Sequence, residues 1–228
     1  MQQYFTDKRL QLNDTVRLDD EVLYHLIKVL RKDDTYTFRL CDSEGNIFHC
    51  HLINNHEVVV TEKLDEDNEL DCEITCILSL FKNDKFELCL QKLTELGVKR
   101  FVPYQAVRSV VKAKDDKKVL RMKKIVKEAA EQSHRNMIPE VTEVVDLKHL
   151  DRYLSENNYI CYESSRNIVD IQPGSSLTYI IGPEGGFEDR EYEKILELGF
   201  EPISLGKRIL RAETAAIYMT SIIVGKCQ

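Results

Sequence analysis

The amino-acid sequence predicts a two-part α/β protein, in which a small β-barrel precedes a parallel sheet covered by helices. Short alternating strands before residue 70 indicate the barrel, whereas strands and helices alternate after residue 71. Alternating strand and helix units generally form a largely parallel sheet with helices on its faces. The acidic stretch Asp65–Glu69 interrupts the apolar pattern, so we place the two domains at residues 1–70 and 71–228.

Composition agrees with a globular intracellular protein. The chain has 228 residues, of which 43% are hydrophobic and 31% charged, so it can fold without a disulfide or a metal. The polar N-terminus does not resemble a secretory signal, and no apolar run approaches the ~20 residues that span a bilayer. Seven scattered cysteines, an odd number, are typical of reduced thiols. We therefore expect a cytoplasmic protein that does not contact a membrane.

In the first domain, apolar and polar residues alternate between turn residues, which predicts strands. These strands are expected at residues 35–41, 47–53 and 57–62, and His25–Arg31 is expected to form one or two helical turns. In the second domain, the nearly continuous apolar run Ile74–Leu80 is typical of a strand that is buried on both faces. Further strands are predicted at 101–104, 159–163, 177–182 and 202–205, and helices at 84–97, 116–136, 188–198 and 212–224.

Two loops of the second domain follow predicted strands, and ligands of such sheets bind beyond the carboxyl ends of the strands. The first is Gly182–Gly186, where three glycines allow a close backbone approach to a ligand or a positive φ. The alternative is a tight strand-to-helix turn with no ligand.

The second loop, Gly206–Ala216, places three cations and one carboxylate before a helix. A helix N-terminus suits anionic ligand groups, and Ile209 with Leu210 suits a flat, partly apolar ligand such as adenine. The alternative is that Arg211 and Glu213 simply pair with each other.

A local basic excess indicates a phosphate-binding face, although the whole chain carries a net charge of -7. Residues 82–135 contain 15 basic and 7 acidic side chains. On the predicted helix 116–136, Lys117, Arg121 and Lys124 follow helical spacing, with Gln132 and Arg135 further along a similar side. An ordinary solvated helix face is the alternative. The candidate RNA-binding residues are Arg31, Lys82, Lys92, Arg108, Lys117, Arg121, Lys124, Gln132 and Arg135.

The two loops, Ile181–Gly186 and Leu205–Ala215, resemble those of the 16S rRNA uracil-N3 methyltransferases of the SPOUT superfamily. One departure is Gln3, where the family pattern leads us to expect a basic residue. The resemblance covers almost the whole chain and includes further stretches in the family's order: Lys92–Gly97, Arg108–Ser109, Glu128–Arg135 with Pro139, and His25 with Val29–Arg31.

The resemblance implies a C-terminal SPOUT-type α/β domain with a trefoil knot, preceded by a small PUA-like β-barrel that binds RNA. It also implies S-adenosyl-L-methionine as cofactor, 16S rRNA of the small ribosomal subunit as partner, and a homodimer with the site near the interface. Carried onto this sequence, it implies a cofactor pocket lined by Glu163, Ile181, Gly182, Gly186, Leu205, Gly206, Ile209, Leu210 and Thr214.

The implied reaction methylates N3 of a uridine, an imide nitrogen that must lose its proton. We expect Arg208 or Arg211 to stabilise the charge that develops on the uracil oxygens, with Glu213 orienting the arginine. Because the imide edge is used in base pairing, the target base must be unpaired or extruded. Two alternatives stay open: a SPOUT methyltransferase acting on another RNA, and a non-catalytic ribosome-associated RNA-binding protein.

Two clusters of metal-ligand or thiol residues are expected to be structural. His49 and His51 would share one face of a strand while Cys50 points to the other, and no Cys-x-x-Cys pair completes a site, so we expect no metal. Cys72 and Cys76 lie four residues apart around a strand and are expected to be core thiols.

Overall fold

The computed structural model describes residues 1–53, 56–111, 116–163 and 170–227, and it has a mixed α/β fold. The chain divides into two compact units. The first contains Met1–Glu69 and also Ala130–Ile138, and the second contains Leu70–Ala129 and Pro139–Gln228. The short segment Ala130–Ile138 therefore packs with residues that precede it by more than 60 positions.

The first unit contains a five-stranded sheet, curled into a half-barrel, with the strand order β1-β3-β4-β5-β2. β1 and β3 are parallel and the other neighbours are antiparallel. The strands are β1 (Gln3–Phe5), β2 (Thr15–Arg17), β3 (Thr37–Cys41), β4 (Ile47–Ile53) and β5 (Glu57–Leu64). The three predicted strands are confirmed as β3, β4 and β5, whereas β1 and β2 are only three residues long and were not predicted.

Helix α1 (Asp20–Tyr24) continues into a π-helical turn, His25–Val29, which confirms the predicted helical turns. Its side chains Val22, Leu23 and Leu26 join the core of this unit with apolar residues of the sheet. In β4, Cys50 is buried while His49 and His51 are partly exposed, so the predicted division of these side chains between two faces is confirmed. The described residues contain no cluster of three side chains of metal-ligating type.

The segment Ala130–Ile138 is held to the first unit by buried polar contacts. The Asn136 side-chain amide donates to the carbonyl oxygens of Gly45 and Glu66, each at 2.8 Å. Arg135 forms an ion pair with Glu69, and its side chain is only 3% exposed. A buried charge of this kind needs a partner, which Glu69 supplies.

The position of Arg135 corrects one sequence-based prediction. The helix expected at 116–136 ends at Gln132, so Arg135 does not continue its exposed side. The predicted place of Arg135 on the exposed side of that helix is wrong, because its guanidinium is buried against Glu69, and its role in RNA binding stays an untested prediction. Gln3, the departure from the family pattern, is also buried: its amide donates to the Arg135 carbonyl oxygen at 2.7 Å and accepts from Arg39 Nε at 3.1 Å.

The second unit is built on a six-stranded, wholly parallel sheet with the order β11-β9-β10-β6-β7-β8, which confirms the predicted parallel sheet. Its strands are β6 (Glu73–Ser79), β7 (Arg100–Tyr104), β8 (Glu140–Val141), β9 (Asn157–Cys161), β10 (Ser176–Ile181) and β11 (Glu201–Ile203). Its helices are α2 (Asn83–Glu95), α4 (Asp189–Glu197), α5 (Ala212–Cys227), the 3-10 helix Leu147–Tyr153 and most of α3 (Asp116–Gln132), whose residues from Ala130 onward belong to the first unit. Only β8 and the 3-10 helix were not predicted.

Both faces of this sheet are covered. Along β10, Tyr179 and Ile181 pack into one apolar cluster and Ile180 into another on the opposite face. Cys72 and Cys76 are buried in the first cluster, so the prediction of core thiols is confirmed. All seven cysteines are free. Within the described ranges, no helix combines the length and apolar character needed to cross a membrane.

Candidate functional site

A cavity of about 420 Å³ lies in the second unit beyond the carboxyl ends of β9, β10 and β11. The strand register creates it: Cys161 at the end of β9 is aligned with Ile181 of β10 and with Ile203 of β11. The loops that follow these strands therefore begin at the same level of the sheet. The volume falls in the range of about 300–1,000 Å³ that is usual for small-molecule sites.

The cavity brings together nearly all of the residues predicted as cofactor-binding or catalytic. Thr214 is the exception: it is exposed on the first turn of α5, outside the lining. The predicted residues that line the cavity are Glu163, Ile181, Gly182, Gly186, Leu205, Gly206, Arg208, Ile209, Leu210, Arg211 and Glu213. Their shared position is established here, whereas the chemical role of each remains a prediction.

Sequence reasoning missed several lining residues, among them Lys85, Tyr162 and Phe187. Tyr162 and Phe187 adjoin predicted residues in the chain, so extending each motif by one residue would have included them. Lys85 comes from the first turn of α2, about a hundred residues before either loop. No spacing or composition signal connects Lys85 with them.

The glycine loop after β10 needs glycine for two separate reasons. A Cβ at Gly182 would lie 2.8 Å from the ring of Phe187, which is 5% exposed and belongs to the core. Gly186 has a φ of +69° and its N–H donates to the Pro183 carbonyl oxygen at 2.9 Å, closing a tight turn. The turn interpretation and the ligand interpretation are therefore compatible, because the turn itself forms part of the cavity wall.

The loop before α5 contributes both charge and exposed apolar surface. Ile209 is 80% exposed although it lines the cavity, and Gly206 has a φ of +117°. An exposed aliphatic side chain beside a cavity provides a wall for an apolar part of a ligand. Among the described residues, four cations and three carboxylates surround this space: Lys85, Lys207, Arg208 and Arg211, with Glu163, Glu184 and Glu213.

Glu213 is held by a lysine. Its Oε1 lies 2.9 Å from Lys85 Nζ, and the two side chains are 16% and 26% exposed. Burial raises the pKa of the Glu213 carboxyl, but the hydrogen bond from Lys85 and the nearby charges, including Arg211, lower it to below its ordinary value. No hydrogen bond or ion pair connects Glu213 to Arg211 within the described residues, so the simple pairing of these two residues is not what the structure has.

Two tyrosines form an aromatic contact at the side of the cavity. The rings of Tyr162 and Tyr192 stack at a centroid distance of 4.1 Å with an interplanar angle of 24°. Tyr162 lines the cavity, whereas Tyr192 is on α4. Burial, together with the neighbouring Tyr162, raises the pKa of Tyr192, so the Tyr192 hydroxyl is neutral at neutral pH.

The buried carboxylate of Glu191 joins the start of α4 to the end of β7 and the loop that follows it. Glu191 is 2% exposed, and it accepts hydrogen bonds from the Tyr104 hydroxyl and, at 3.0 Å, from the Val107 N–H. Its other oxygen accepts from the Glu188 N–H, which completes a capping box at the start of α4. In the loop after β7, Arg108 Nη1 donates to the Gly185 carbonyl oxygen at 3.4 Å.

The remaining candidate RNA-binding residues are at the surface. Lys117, Arg121, Lys124 and Gln132 are exposed on α3, as the helical spacing predicted. Arg121 pairs with Glu87 at 2.9 Å, so part of its charge is already balanced. Arg31, Lys82 and Arg108 are exposed as well, and Lys92 is half-buried beside Glu95.

Comparison with known proteins relates this chain to RNA methyltransferases. The family model described as an RNA methyltransferase domain matches residues 68–224 of the chain. Over 98% of its length the chain is 35% identical to ribosomal RNA small subunit methyltransferase E of Bacillus subtilis, covering 96% of that protein. The protein of the same name in Mesomycoplasma hyopneumoniae is 33% identical to this chain, over 89% of this chain's length and 90% of its own length.

One similar solved structure is that of ribosomal RNA small subunit methyltransferase E from Neisseria gonorrhoeae bound to S-adenosyl methionine. It superposes with a TM-score of 0.92 at 32% sequence identity, covering 99% of this chain and 98% of that one.

Substitution of Gly182 provides a direct test of the tight packing in the glycine loop. Gly182→Ala should lower the free energy of unfolding by about 1–3 kcal/mol, because the new Cβ overpacks the Phe187 ring. Gly185→Ala is the matched control, since its Cβ would meet Arg108 at an ordinary contact distance of 3.5 Å. Urea denaturation measures both variants, and equal stabilities would contradict the close contact at Gly182.

Proposed function

This chain belongs to the RNA methyltransferase family, and within it to the ribosomal RNA small subunit methyltransferase E proteins, so we propose that it methylates N3 of a uridine in 16S rRNA with S-adenosyl-L-methionine as methyl donor. The observation that carries this proposal is the cavity at the ends of β9, β10 and β11. It gathers the residues of both family loops, which are separated in the chain by β11 and α4.

The residues present fit such a cofactor. Gly182 and Gly186 line the cavity without side chains, and Ile181, Leu205 and Leu210 supply aliphatic surface for an adenine ring. Glu163 and Glu184 are carboxylates suited to a ribose hydroxyl or to a cationic group. Lys207 and the N-terminal turn of α5 suit a carboxylate.

When bound, the cofactor supplies an electrophilic methyl carbon: its bond to sulfur breaks as the bond to N3 forms, and the N3 proton leaves to solvent. The chain's own contribution is electrostatic. Arg208 and Arg211 line the cavity, and neither makes a hydrogen bond or ion pair through its side chain with the described residues. We assign to them the stabilisation of negative charge on the uracil oxygens, which preorganised cations provide without reorganisation.

We further propose that the exposed cations of α3, together with Arg31, Lys82, Lys92 and Arg108, bind the phosphates of the RNA. The half-barrel, as a PUA-like domain over residues 1–70, would add to that binding. The exposure of Lys117, Arg121 and Lys124 supports this role, because phosphate contacts need solvent-facing cations.

The family resemblance also underlies our proposal of a trefoil knot in the domain at 71–228, of a homodimer, and of a cytoplasmic location with the ribosomes. The strand order supports the knot: the chain leaves β10, pairs β11 with β9 on the far side, and returns through α5 to pack on α2 and β10. Seven free cysteines support a reducing compartment.

The test of the proposed function is methyl transfer from labelled S-adenosyl-L-methionine to small ribosomal subunits from cells that lack this protein. Label in 3-methyluridine, after separation of the modified nucleosides, would support cofactor, reaction and substrate together. Label only in another RNA would favour a different substrate. RNA binding without cofactor binding or transfer would favour a non-catalytic RNA-binding protein.

Arg211→Ala should abolish most methyl transfer while leaving cofactor affinity nearly intact. Loss of one preorganised group that stabilises developing charge costs roughly 100- to 1,000-fold in rate. Turnover assays and calorimetric titration with the cofactor measure the two effects separately, and Arg208→Ala made in parallel shows which arginine carries the larger effect. Full activity in Arg211→Ala would exclude this assignment.

Charge reversal of Lys117, Arg121 and Lys124 to Glu should weaken RNA binding and flatten its dependence on salt. Removing three phosphate contacts lowers the slope of log K against log salt by about two to three units. The matched control reverses three exposed cations outside α3, namely Arg152, Arg190 and Lys194. Equal RNA affinity and equal slope in the two triple variants would mean that the α3 cations form only a solvated face.

A further inference from the structure

The ion pair between Lys85 and Glu213 lies in the wall of the cavity. Both residues line the cavity, and both side chains are largely buried. They connect the first turn of α2 with the first turn of α5. Two residues before Glu213 stands Arg211, one of the arginines to which we assign charge stabilisation.

Resting on the proposed methyl transfer, we infer that Lys85 is a positioning residue: it binds the Glu213 carboxylate and thereby keeps that carboxylate from pairing with Arg211. Arg211 then remains available to the substrate with its full charge. This role differs from the orientation of an arginine by Glu213, which the sequence suggested. It also gives a role to Lys85, which lies on α2 and outside the two family loops.

Two cations are available to the Glu213 carboxylate: Lys85 contacts it directly, and Arg211 lines the same cavity two residues before it in the chain. Arg211 already influences the carboxyl of Glu213 electrostatically, since its charge helps to lower the pKa of that group. A partly buried carboxylate without a partner is costly, so it takes the nearest available cation. Guanidinium groups are favoured partners because they bind a carboxylate through two parallel hydrogen bonds. Without Lys85, Arg211 is the guanidinium that lines the same cavity and whose charge acts on Glu213 among the described residues.

If Arg211 paired with Glu213, it would stabilise the developing negative charge poorly. Its own charge would be balanced by the carboxylate, and its N–H groups would point to Glu213 instead of to the uracil oxygens. Electrostatic stabilisation requires donors that are oriented before the charge develops. The Lys85–Glu213 contact therefore has a consequence for rate, beyond any contribution to the packing of α2 on α5.

The decisive experiment is a double-mutant comparison of methyl transfer to small ribosomal subunits. Lys85→Met should lower kcat about tenfold or more with little change in the KM for the cofactor, because it leaves Glu213 to neutralise Arg211. Lys85→Arg should restore most of the rate. Removing both charges, in Lys85→Met with Glu213→Gln, should give higher activity than Lys85→Met alone.

Lys99→Met is the matched control, since Lys99 pairs with Glu73 outside the cavity and is 40% exposed. It should leave kcat unchanged. Should Lys85→Met fail to fold, Lys85→Gln replaces it throughout as a neutral, polar substitution. A double variant that is no more active than Lys85→Met would overturn the inference, and would assign the orientation of the arginine to the Glu213 carboxylate itself.

A second readout does not depend on methyl transfer. Phenylglyoxal modifies arginines that are not engaged, and peptide mass spectrometry gives the extent of modification at Arg211 relative to the exposed Arg152. Modification of Arg211 should fall in Lys85→Met and return in the double variant, whereas unchanged modification would overturn the inference. Absence of transfer by the wild-type protein would exclude the proposed function, while the labelling would still decide the role of Lys85.

Discussion

The parallel register of β9, β10 and β11 is the constraint on which the site depends. Because Cys161, Ile181 and Ile203 are level with one another, three loops that are far apart in the chain start at one edge of the sheet. Parallel strands direct all their carboxyl ends to the same edge, which is why ligand sites of such sheets lie there. A shift of one residue in any of these strands would turn its last side chain to the opposite face and move its loop.

A separate buried contact fastens the loop after β7 to the start of α4. Glu191 is buried on α4, and its carboxyl group accepts hydrogen bonds from Tyr104, Val107 and Glu188. A buried polar group with several hydrogen bonds is held in place, since loss of a donor leaves it unsatisfied. The same loop after β7 contains Arg108, a candidate RNA contact, which donates to the Gly185 carbonyl oxygen of the glycine loop.

The charges around the cavity are arranged so that Arg208 and Arg211 are available to a negatively charged group of a ligand. In the described part of the chain, four basic and three acidic side chains line the same space, and an arbitrary arrangement would let opposite charges neutralise one another in pairs. The contact between Lys85 and Glu213 removes one carboxylate from that competition. The chain has an overall negative charge, yet this cavity and the exposed face of α3 both present several basic side chains. Net charge is therefore a poor guide to the ligand in this protein.

The sequence by itself determined the parallel sheet, most of its strands and helices, and nearly every residue of the two loops, because hydrophobic periodicity and local glycine and charge patterns are properties of contiguous residues. Only the tertiary structure decided the partners that join distant elements. Lys85 reaches Glu213 from α2, Arg135 turns inward to Glu69, and Gln3 is buried between Arg39 and Arg135. The very short strands β1, β2 and β8 also escaped prediction, because so short a segment forms a strand only beside a neighbour, although the equally short β11 was predicted. Pairing across the fold depends on which surfaces pack together, and a periodic pattern within one element contains no information about that.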